Sequence, residues 1–155
     1  MIKLETRNLS YSYHAGQAVL NDISLKIYDG SVTVLLGLNG SGKTTLIKVL
    51  TGLLKPLKGT TFIEAKDITQ ISSTELSKLI SYVPQNISDD TDFAVLDYLT
   101  FGRMNTIKFY SSPKSEDYEK AKAVANDLGI TDLLAEKMNE LSGGQRQLVT
   151  IARAV

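Results

Sequence analysis

The 155-residue sequence predicts an α/β fold, because segments with the pattern of strands alternate along the chain with segments that have the pattern of helices. Two further observations support this class. Residues 31–36 form an unalternated apolar run of strand length, which is typical of a strand buried on both faces of its sheet. Glycines at positions 37, 40 and 42 follow this run, and a helical pattern begins at Lys43. The sequence therefore predicts a central strand, a glycine-rich loop and a helix in direct succession.

The residues before this central strand predict a small antiparallel sheet. Residues 2–9 alternate apolar and polar side chains, and residues 18–27 keep apolar side chains mostly at alternate positions. Turn residues at 14–16 separate the two segments, so we expect a hairpin.

The helix that begins at Lys43 is predicted to be amphipathic and to stop near Pro56. Its apolar face consists of Leu46, Val49, Leu50 and Leu53. Three elements are predicted after it, and these are a strand at residues 60–64, a helix at 73–79 capped by Ser73 or Thr74, and a strand at 80–83.

The chain changes in character after Gln85. We interpret the acidic residues within 86–92 as a solvated loop and not as a metal site. Helical patterns follow, and they cover about residues 95–103, 115–128 and 142–155, with a connection at 105–114.

The composition excludes several classes of protein. The chain contains no Cys, which argues against a disulfide framework and a cysteine-based metal site, so we expect an intracellular protein. Its 17 Lys and Arg balance 17 Asp and Glu, and we therefore expect no nucleic-acid partner. The most apolar run is far shorter than the roughly 18 residues of a membrane-spanning helix, and the N-terminus lacks the pattern of a signal peptide.

The segment GLNGSGKTT at residues 37–45 carries the sharpest chemical signal. It fits the phosphate-binding pattern G-x-x-x-x-G-K-[ST] and lies between a predicted strand and a predicted helix, as that pattern requires. Glycines let successive backbone N–H groups point at a phosphate chain, and the helix N-terminus adds a partial positive charge. Lys43 would reach the β- and γ-phosphates, and the Thr44 hydroxyl would bind Mg²⁺. The alternative, a glycine-rich turn with an incidental lysine, does not explain the strand and helix on either side.

A second candidate anion site is the sequence LSGGQ at residues 141–145. Ser142 is a good helix N-cap, and the glycine pair leaves backbone N–H groups uncovered at the start of a helix. Taken alone, this segment could also be an ordinary helix start.

Together these motifs make the chain resemble the ATP-binding cassette (ABC) family of ATPases over essentially its whole length. Residues 37–45 match the Walker A motif, and residues 141–145 match the signature LSGGQ without a substitution. Gln85 lies where the family has its Q-loop glutamine, and Tyr13 lies where it has the aromatic residue that stacks on adenine. For these last two residues the alternatives are a solvated loop glutamine and a strand-edge aromatic.

The resemblance implies a P-loop NTPase core with an N-terminal antiparallel β subdomain and a helical subdomain, with the C-terminal part of the sheet missing. It implies one partial domain over 1–155, with the β subdomain and phosphate-loop core at 1–85, the Q-loop and helical subdomain at 86–145 and the signature helix at 142–155. It also implies ATP and Mg²⁺ as ligands. The implied nucleotide-binding residues are Tyr13, Gly37, Asn39, Gly40, Ser41, Gly42, Lys43, Thr44, Thr45, Ser142, Gly143, Gly144 and Gln145, with Lys43 and Gln85 catalytic and with Thr44 and Gln85 at the metal.

The resemblance further implies a head-to-tail dimer in which Ser142, Gly143 and Gly144 touch the γ-phosphate bound at a partner's Lys43. ATP would favour the closed dimer through its higher affinity for that state. Other implied partners are transmembrane permease subunits and, indirectly, a periplasmic or surface substrate-binding protein. The implied location is the cytoplasmic face of the cell membrane. The segments 74–85, 95–103 and 115–118 are most similar to the ATPases of importers for iron–siderophore complexes, haem and cobalamin.

In the family, the signature helix is followed by a strand that ends in the Walker B Asp and a catalytic Glu. The sequence stops at Val155 inside its last helical pattern, so we expect a truncated chain that binds nucleotide weakly and hydrolyses it poorly. Two alternatives stay open, and these are a soluble ABC ATPase outside transport and a non-catalytic nucleotide-binding module. The compact spacing between Gln85 and Leu141 argues against the long insertion found in many soluble ABC ATPases.

Overall fold

An antiparallel sheet of four strands forms in the N-terminal part of the computed structural model, which describes residues 1–14, 16–85, 92–103 and 112–155. The strands are β1 (Ile2–Tyr11), β2 (Leu20–Tyr28), β3 (Lys58–Ile63) and β4 (Lys66–Asp67), in the spatial order β2-β1-β3-β4. β1 pairs antiparallel with both β2 and β3, which confirms the predicted hairpin and the strand predicted at 60–64. The described residues divide into two compact units, Met1–Ile80 and Ser81–Val155.

Helix α1 (Lys43–Leu50) follows the glycine-rich loop, as the sequence predicts. It shares a buried apolar cluster with the sheet, and the cluster consists of Leu9, Leu20, Leu46, Val49 and Leu50. The predicted extension of this helix toward Pro56 is wrong. Gly52 adopts a left-handed φ of 75° directly after the C-cap Thr51, and Leu53, predicted on the apolar face, is 56% exposed. The left-handed glycine ends the helix at Leu50, more than one turn before Pro56.

Residues 31–36 do not form the buried central strand that their apolar pattern predicts. They lie outside any ladder, and Val32 is 94% exposed while Leu36 is 85% exposed. A strand with two apolar faces is stable only where neighbouring strands pair with it and other elements cover both faces. The described residues supply no such ladder partner, so the sequence preference is not realised in this structure.

Helix α2 (Ser73–Leu79) is confirmed, but its N-cap differs from the prediction. Ser72, and not Ser73 or Thr74, caps it, because the Ser72 hydroxyl accepts a 3.2 Å hydrogen bond from the Glu75 N–H. The strand predicted at residues 80–83 is not formed.

Three helices form the second unit, and they are α3 (Val95–Thr100), α4 (Ser115–Asp127) and α5 (Gly143–Ala154). A 3₁₀ turn at Phe101–Arg103 extends α3 to the predicted end at residue 103. The helices surround a core made of Val95, Tyr98, Leu99, Ala121, Ala125, Ile130, Leu133, Met138, Leu141, Val149 and Ala152. Most of the predicted loop at 86–92 and of the predicted connection at 105–114 lies outside the described residues.

Within the part of the chain that the structure describes, every helix is too short or too polar to cross a membrane.

Candidate functional site

The glycine-rich loop lies against the start of β2. Gly42, the N-cap of α1, has a φ of 88°, and a β-carbon there would lie 3.1 Å from the Val19 carbonyl oxygen. Gly40 is also left-handed, with a φ of 81°. Only glycine meets both demands without strain, so the sequence dictates how closely the loop approaches the sheet.

Lys43 is the first residue of α1, and its side chain folds back over the loop. Its Nζ atom donates two hydrogen bonds of 2.8 Å, one to the Gly37 carbonyl and one to the Leu38 carbonyl. These bonds are charge-assisted and keep the ammonium group at the loop, close to the helix N-terminus. An anion that enters the loop would meet this cation together with backbone N–H groups.

The two threonines after Lys43 have different environments. Thr44 is exposed at the start of the helix, where its hydroxyl is accessible to a ligand. Thr45 is 6% exposed, and its hydroxyl lies 3.2 Å from the Tyr13 hydroxyl. The structure therefore brings Tyr13, predicted from a separate part of the sequence, to the phosphate-loop helix.

The remaining predicted loop residues complete the turn. Asn39 and Ser41 are exposed, and the Ser41 N–H donates to the Leu38 carbonyl at 3.2 Å. The Ser41 hydroxyl lies close to Gly37, since a β-carbon at Gly37 would lie 2.8 Å from it.

The segment LSGGQ forms a turn that leads into α5. The Ser142 hydroxyl accepts a 3.4 Å hydrogen bond from the Gln145 N–H, and the Gln145 Oε1 atom accepts a 2.9 Å bond from the Ser142 N–H. This reciprocal capping box fixes the start of the helix. A β-carbon added at Gly143 or Gly144 would meet no atom within 4 Å, so both glycines border open space.

Arg146 is a structural residue of this turn that the sequence motifs do not indicate. Its Nε atom donates to the Met138 carbonyl at 3.1 Å, and its guanidinium also donates to the Leu141 carbonyl at 3.0 Å. Both bonds satisfy carbonyls of the chain that enters the signature turn, while the Leu141 side chain is buried in the core. The signal that could have indicated this role is an arginine one position after a capping box, where its long side chain can reach back over the preceding turn.

The start of α3 is hydrogen-bonded to the segment that precedes the signature turn. The Val95 N–H donates to the Glu136 carbonyl at 2.9 Å, and the Met138 N–H donates to the Phe93 carbonyl at 3.0 Å. An ion pair of 2.8 Å joins Lys137 Nζ to Asp92 Oδ1, and this hydrogen bond lowers the pKa of the Asp92 carboxyl. The ion pair is exposed and contributes little stability. The two backbone hydrogen bonds are therefore the main link between the start of α3 and the segment before the signature turn.

The predicted site residues fall into two sets. Tyr13 and residues 37–45 belong to the first unit, whereas the exposed Gln85 and residues 142–145 belong to the second. Within the described residues, no three His, Cys, Asp or Glu side chains gather into a metal-binding group. The accessible hydroxyl of Thr44 and the accessible amide of Gln85 are hard oxygen ligands of the type that suits Mg²⁺ beside phosphate oxygens.

Comparison with known proteins decides the family. The sequence profile of the ABC transporter family matches residues 20–155. The chain belongs to the ABC transporter family. The resemblance read from the Walker A and signature motifs is therefore confirmed.

Two relatives in the ABC transporter family are similar to the chain over almost its whole length. The chain is 39% identical over 153 residues to a Helicobacter pylori protein named as a probable iron chelatin transport ATP-binding protein, covering 98% of this chain and 60% of the relative. It is 38% identical over 157 residues to the manganese transport system ATP-binding protein MntB of Bacillus subtilis, covering 100% of this chain and 60% of the relative. The chain thus spans 60% of the length of these two relatives.

Solved ABC structures have the same fold. The chain matches the crystal structure of a nucleotide-free ATP-binding cassette from an ABC transporter with a TM-score of 0.86 and 35% identity, over 99% of this chain and 64% of that one. It matches a metal-chelate type ABC transporter in an inward-facing conformation with a TM-score of 0.81 and 33% identity, over 99% of this chain and 55% of that one. The predicted P-loop NTPase fold is confirmed.

Proposed function

We propose that this chain is the ATP-binding part of the ATPase subunit of an ABC importer whose substrate is an iron chelate or a similar metal complex. The observation that carries the proposal is the phosphate-loop geometry, in which Lys43 is held at a loop with left-handed Gly40 and Gly42 at the start of α1. The name of the Helicobacter pylori relative supports an iron chelate as the substrate, while the Bacillus subtilis relative is named for manganese transport.

In this proposal the loop binds the phosphates of ATP. The backbone N–H groups of residues 37–45 and the Lys43 ammonium neutralise the phosphate charge, and the Tyr13 ring stacks on the adenine. Thr44 would hold Mg²⁺ beside the phosphate loop, and the ion would screen the charge of the β- and γ-phosphates.

The signature turn is proposed to act on the nucleotide of a second ATPase subunit. Gly143 and Gly144 border open space, and they have no side chains that shield the backbone N–H groups at the start of the helix. A γ-phosphate can therefore approach these N–H groups closely. Ser142 and Gln145 hold this helix start in place through their capping box. ATP then joins two subunits head to tail, and hydrolysis releases them.

The proposed partners of the complete protein are a second ATPase subunit, transmembrane permease subunits and, through the permease, a periplasmic or surface substrate-binding protein. Its proposed location is the cytoplasmic face of the membrane. We expect slow hydrolysis by these 155 residues alone, because the family places the Walker B Asp and the catalytic base on a strand that follows the signature helix and is not part of this sequence.

Titration calorimetry of the chain with ATP and Mg²⁺ tests the proposal. Lys43→Ala should weaken binding tenfold or more, because it removes charge-assisted hydrogen bonds worth about 1.5–3 kcal/mol each. Lys48→Ala is the matched control, because Lys48 lies in the last turn of the same helix, away from the loop. Equal affinities for the wild type and Lys43→Ala would refute the proposed site.

A further inference from the structure

Tyr13 is 53% exposed, yet two different contacts fix its ring. Its hydroxyl lies 3.2 Å from the Thr45 hydroxyl. Its ring meets the Tyr11 ring edge to face, with centroids 5.0 Å apart and planes at 87°. An exposed tyrosine without such contacts exchanges between rotamers on the nanosecond timescale, so these contacts select one position.

Both anchors of Tyr13 are themselves held in place by packing or hydrogen bonds. Thr45 is buried in the first turn of α1, two residues after Lys43. Tyr11 is the last residue of β1, packs against the apolar cluster between the sheet and α1, and accepts a 2.8 Å hydrogen bond from the Val19 N–H at its carbonyl. The ring of Tyr13 is therefore tied to the phosphate loop through the helix and to the sheet through the strand.

We propose that Tyr11 and Thr45 are positioning residues, which hold the Tyr13 ring beside the phosphate loop before a nucleotide arrives. This inference rests on the proposed function, since it assumes that Tyr13 stacks on the base of a nucleotide whose phosphates occupy the loop. A ring that is already ordered loses little conformational entropy when a base stacks on it. This smaller entropy loss increases the affinity for ligands that carry a base. The order of the Tyr13 ring does not change the affinity for a ligand that consists of phosphates alone, because such a ligand has no base to stack on the ring.

This difference gives a readout that a purely structural role would not change. The readout is the dissociation constant of Mg²⁺-tripolyphosphate divided by that of Mg²⁺-ATP, here named the base ratio. Both constants are measured by titration calorimetry on the same protein. A substitution that merely loosens the fold weakens both ligands and leaves the base ratio constant.

Tyr13→Phe is the central variant, because it keeps the ring and removes only the hydroxyl that meets Thr45. We expect it to lower the base ratio about threefold, the effect of one lost hydrogen bond. Tyr13→Ala should lower the ratio about tenfold or more, because it removes base stacking altogether. Tyr28→Phe is the matched control, since Tyr28 is 54% exposed on β2 and its hydroxyl lies outside the site; its base ratio should equal that of the wild type.

The two anchors are tested in the same way. Tyr11→Leu keeps an apolar side chain against the cluster and should lower the base ratio about threefold, because it removes an aromatic pair. Thr45→Val should lower the ratio, and Thr45→Ser should restore it, because serine keeps the hydroxyl.

The outcomes separate this inference from the proposed function. If Tyr13→Ala lowers the base ratio while Tyr13→Phe and Tyr11→Leu leave it unchanged, then Tyr13 stacks on the base but is not positioned by its neighbours, and the inference is overturned. If the wild type binds neither ligand, or if Tyr13→Ala has no effect on the ratio, the proposed nucleotide site itself fails. A variant that does not fold is recognised from its circular dichroism, and Tyr13→Phe, which changes one hydroxyl group, still decides the question.

Discussion

Asp67 shows how one side chain links local structure to pH. Its Oδ1 atom accepts hydrogen bonds from the Thr69 hydroxyl at 2.7 Å, from the Thr69 N–H at 2.9 Å and from the Thr60 hydroxyl at 2.9 Å. The bond from the Thr69 side chain, followed by that from its N–H, lowers the pKa of the Asp67 carboxyl below its ordinary value of 3.8. Because the folded pKa is lowered, the charged form stabilises the folded state.

This stabilisation is complete above the unfolded pKa of Asp67 and is lost as the pH falls through the lowered folded pKa. We expect Asp67→Ala to reduce the free energy of unfolding by about 1 kcal/mol at pH 7, as for other capping residues. The difference from the wild type should shrink below the ordinary aspartate range. Urea denaturation at several pH values measures it, with Asp132→Ala, at an exposed position, as the control. A difference that stays constant down to pH 2 would contradict the assignment.

Two glycines near α5 have opposite surroundings. A β-carbon at Gly102 would lie 2.4 Å from the Arg153 carbonyl oxygen, whereas one at Gly144 would meet nothing within 4 Å. Packing inside the chain therefore explains the glycine at 102 and leaves the glycine at 144 without a structural reason. A close external ligand supplies that reason in the proposed function.

Alanine substitutions test this contrast. Gly102→Ala should destabilise the chain by about 1–3 kcal/mol, because α5 must shift away from the 3₁₀ turn. Gly144→Ala should leave the stability unchanged or raise it by about 0.5 kcal/mol, because alanine favours the helix. Urea denaturation curves of the two variants give both values. A loss of stability in Gly144→Ala as large as that in Gly102→Ala would show that the fold itself needs both glycines.

The apolar segment at 31–38 is exposed on the surface of the described part of the chain. Its side chains Val32, Val34, Leu36 and Leu38 are between 71% and 94% exposed. An exposed apolar segment that lies outside any ladder is a template for pairing with another chain.

We expect the 155-residue chain to self-associate at micromolar concentration through this segment. The double variant Val32→Lys/Val34→Lys should shift the light-scattering mass toward the monomer, because two charges oppose strand pairing. The matched control is Leu53→Lys/Leu57→Lys, which places the same charges at exposed leucines outside the segment. A wild type that is monodisperse and monomeric would rule out this behaviour.

The sequence predicted the elements whose stability is local. The hairpin of β1 and β2, the helices α1, α2, α4 and α5, and the glycine loop follow from periodicity, caps and glycine positions, which act over a few residues. It failed where an element depends on distant partners, as for residues 31–36 and 80–83, because a strand exists only when another strand pairs with it.

The family and the phosphate-loop residues can be identified from the order of amino acids, because spacing such as that of Gly37, Gly42 and Lys43 is a property of the chain. The folded chain was needed to show that Lys43 donates hydrogen bonds to two loop carbonyls and that Arg146 donates to two carbonyls before the signature turn. It alone brought Tyr13 to Thr45, which lies 32 positions away in the chain. The physical reason is that hydrogen bonds and ring contacts depend on distance in space, which residue type and spacing do not encode until the sheet and α1 have packed together.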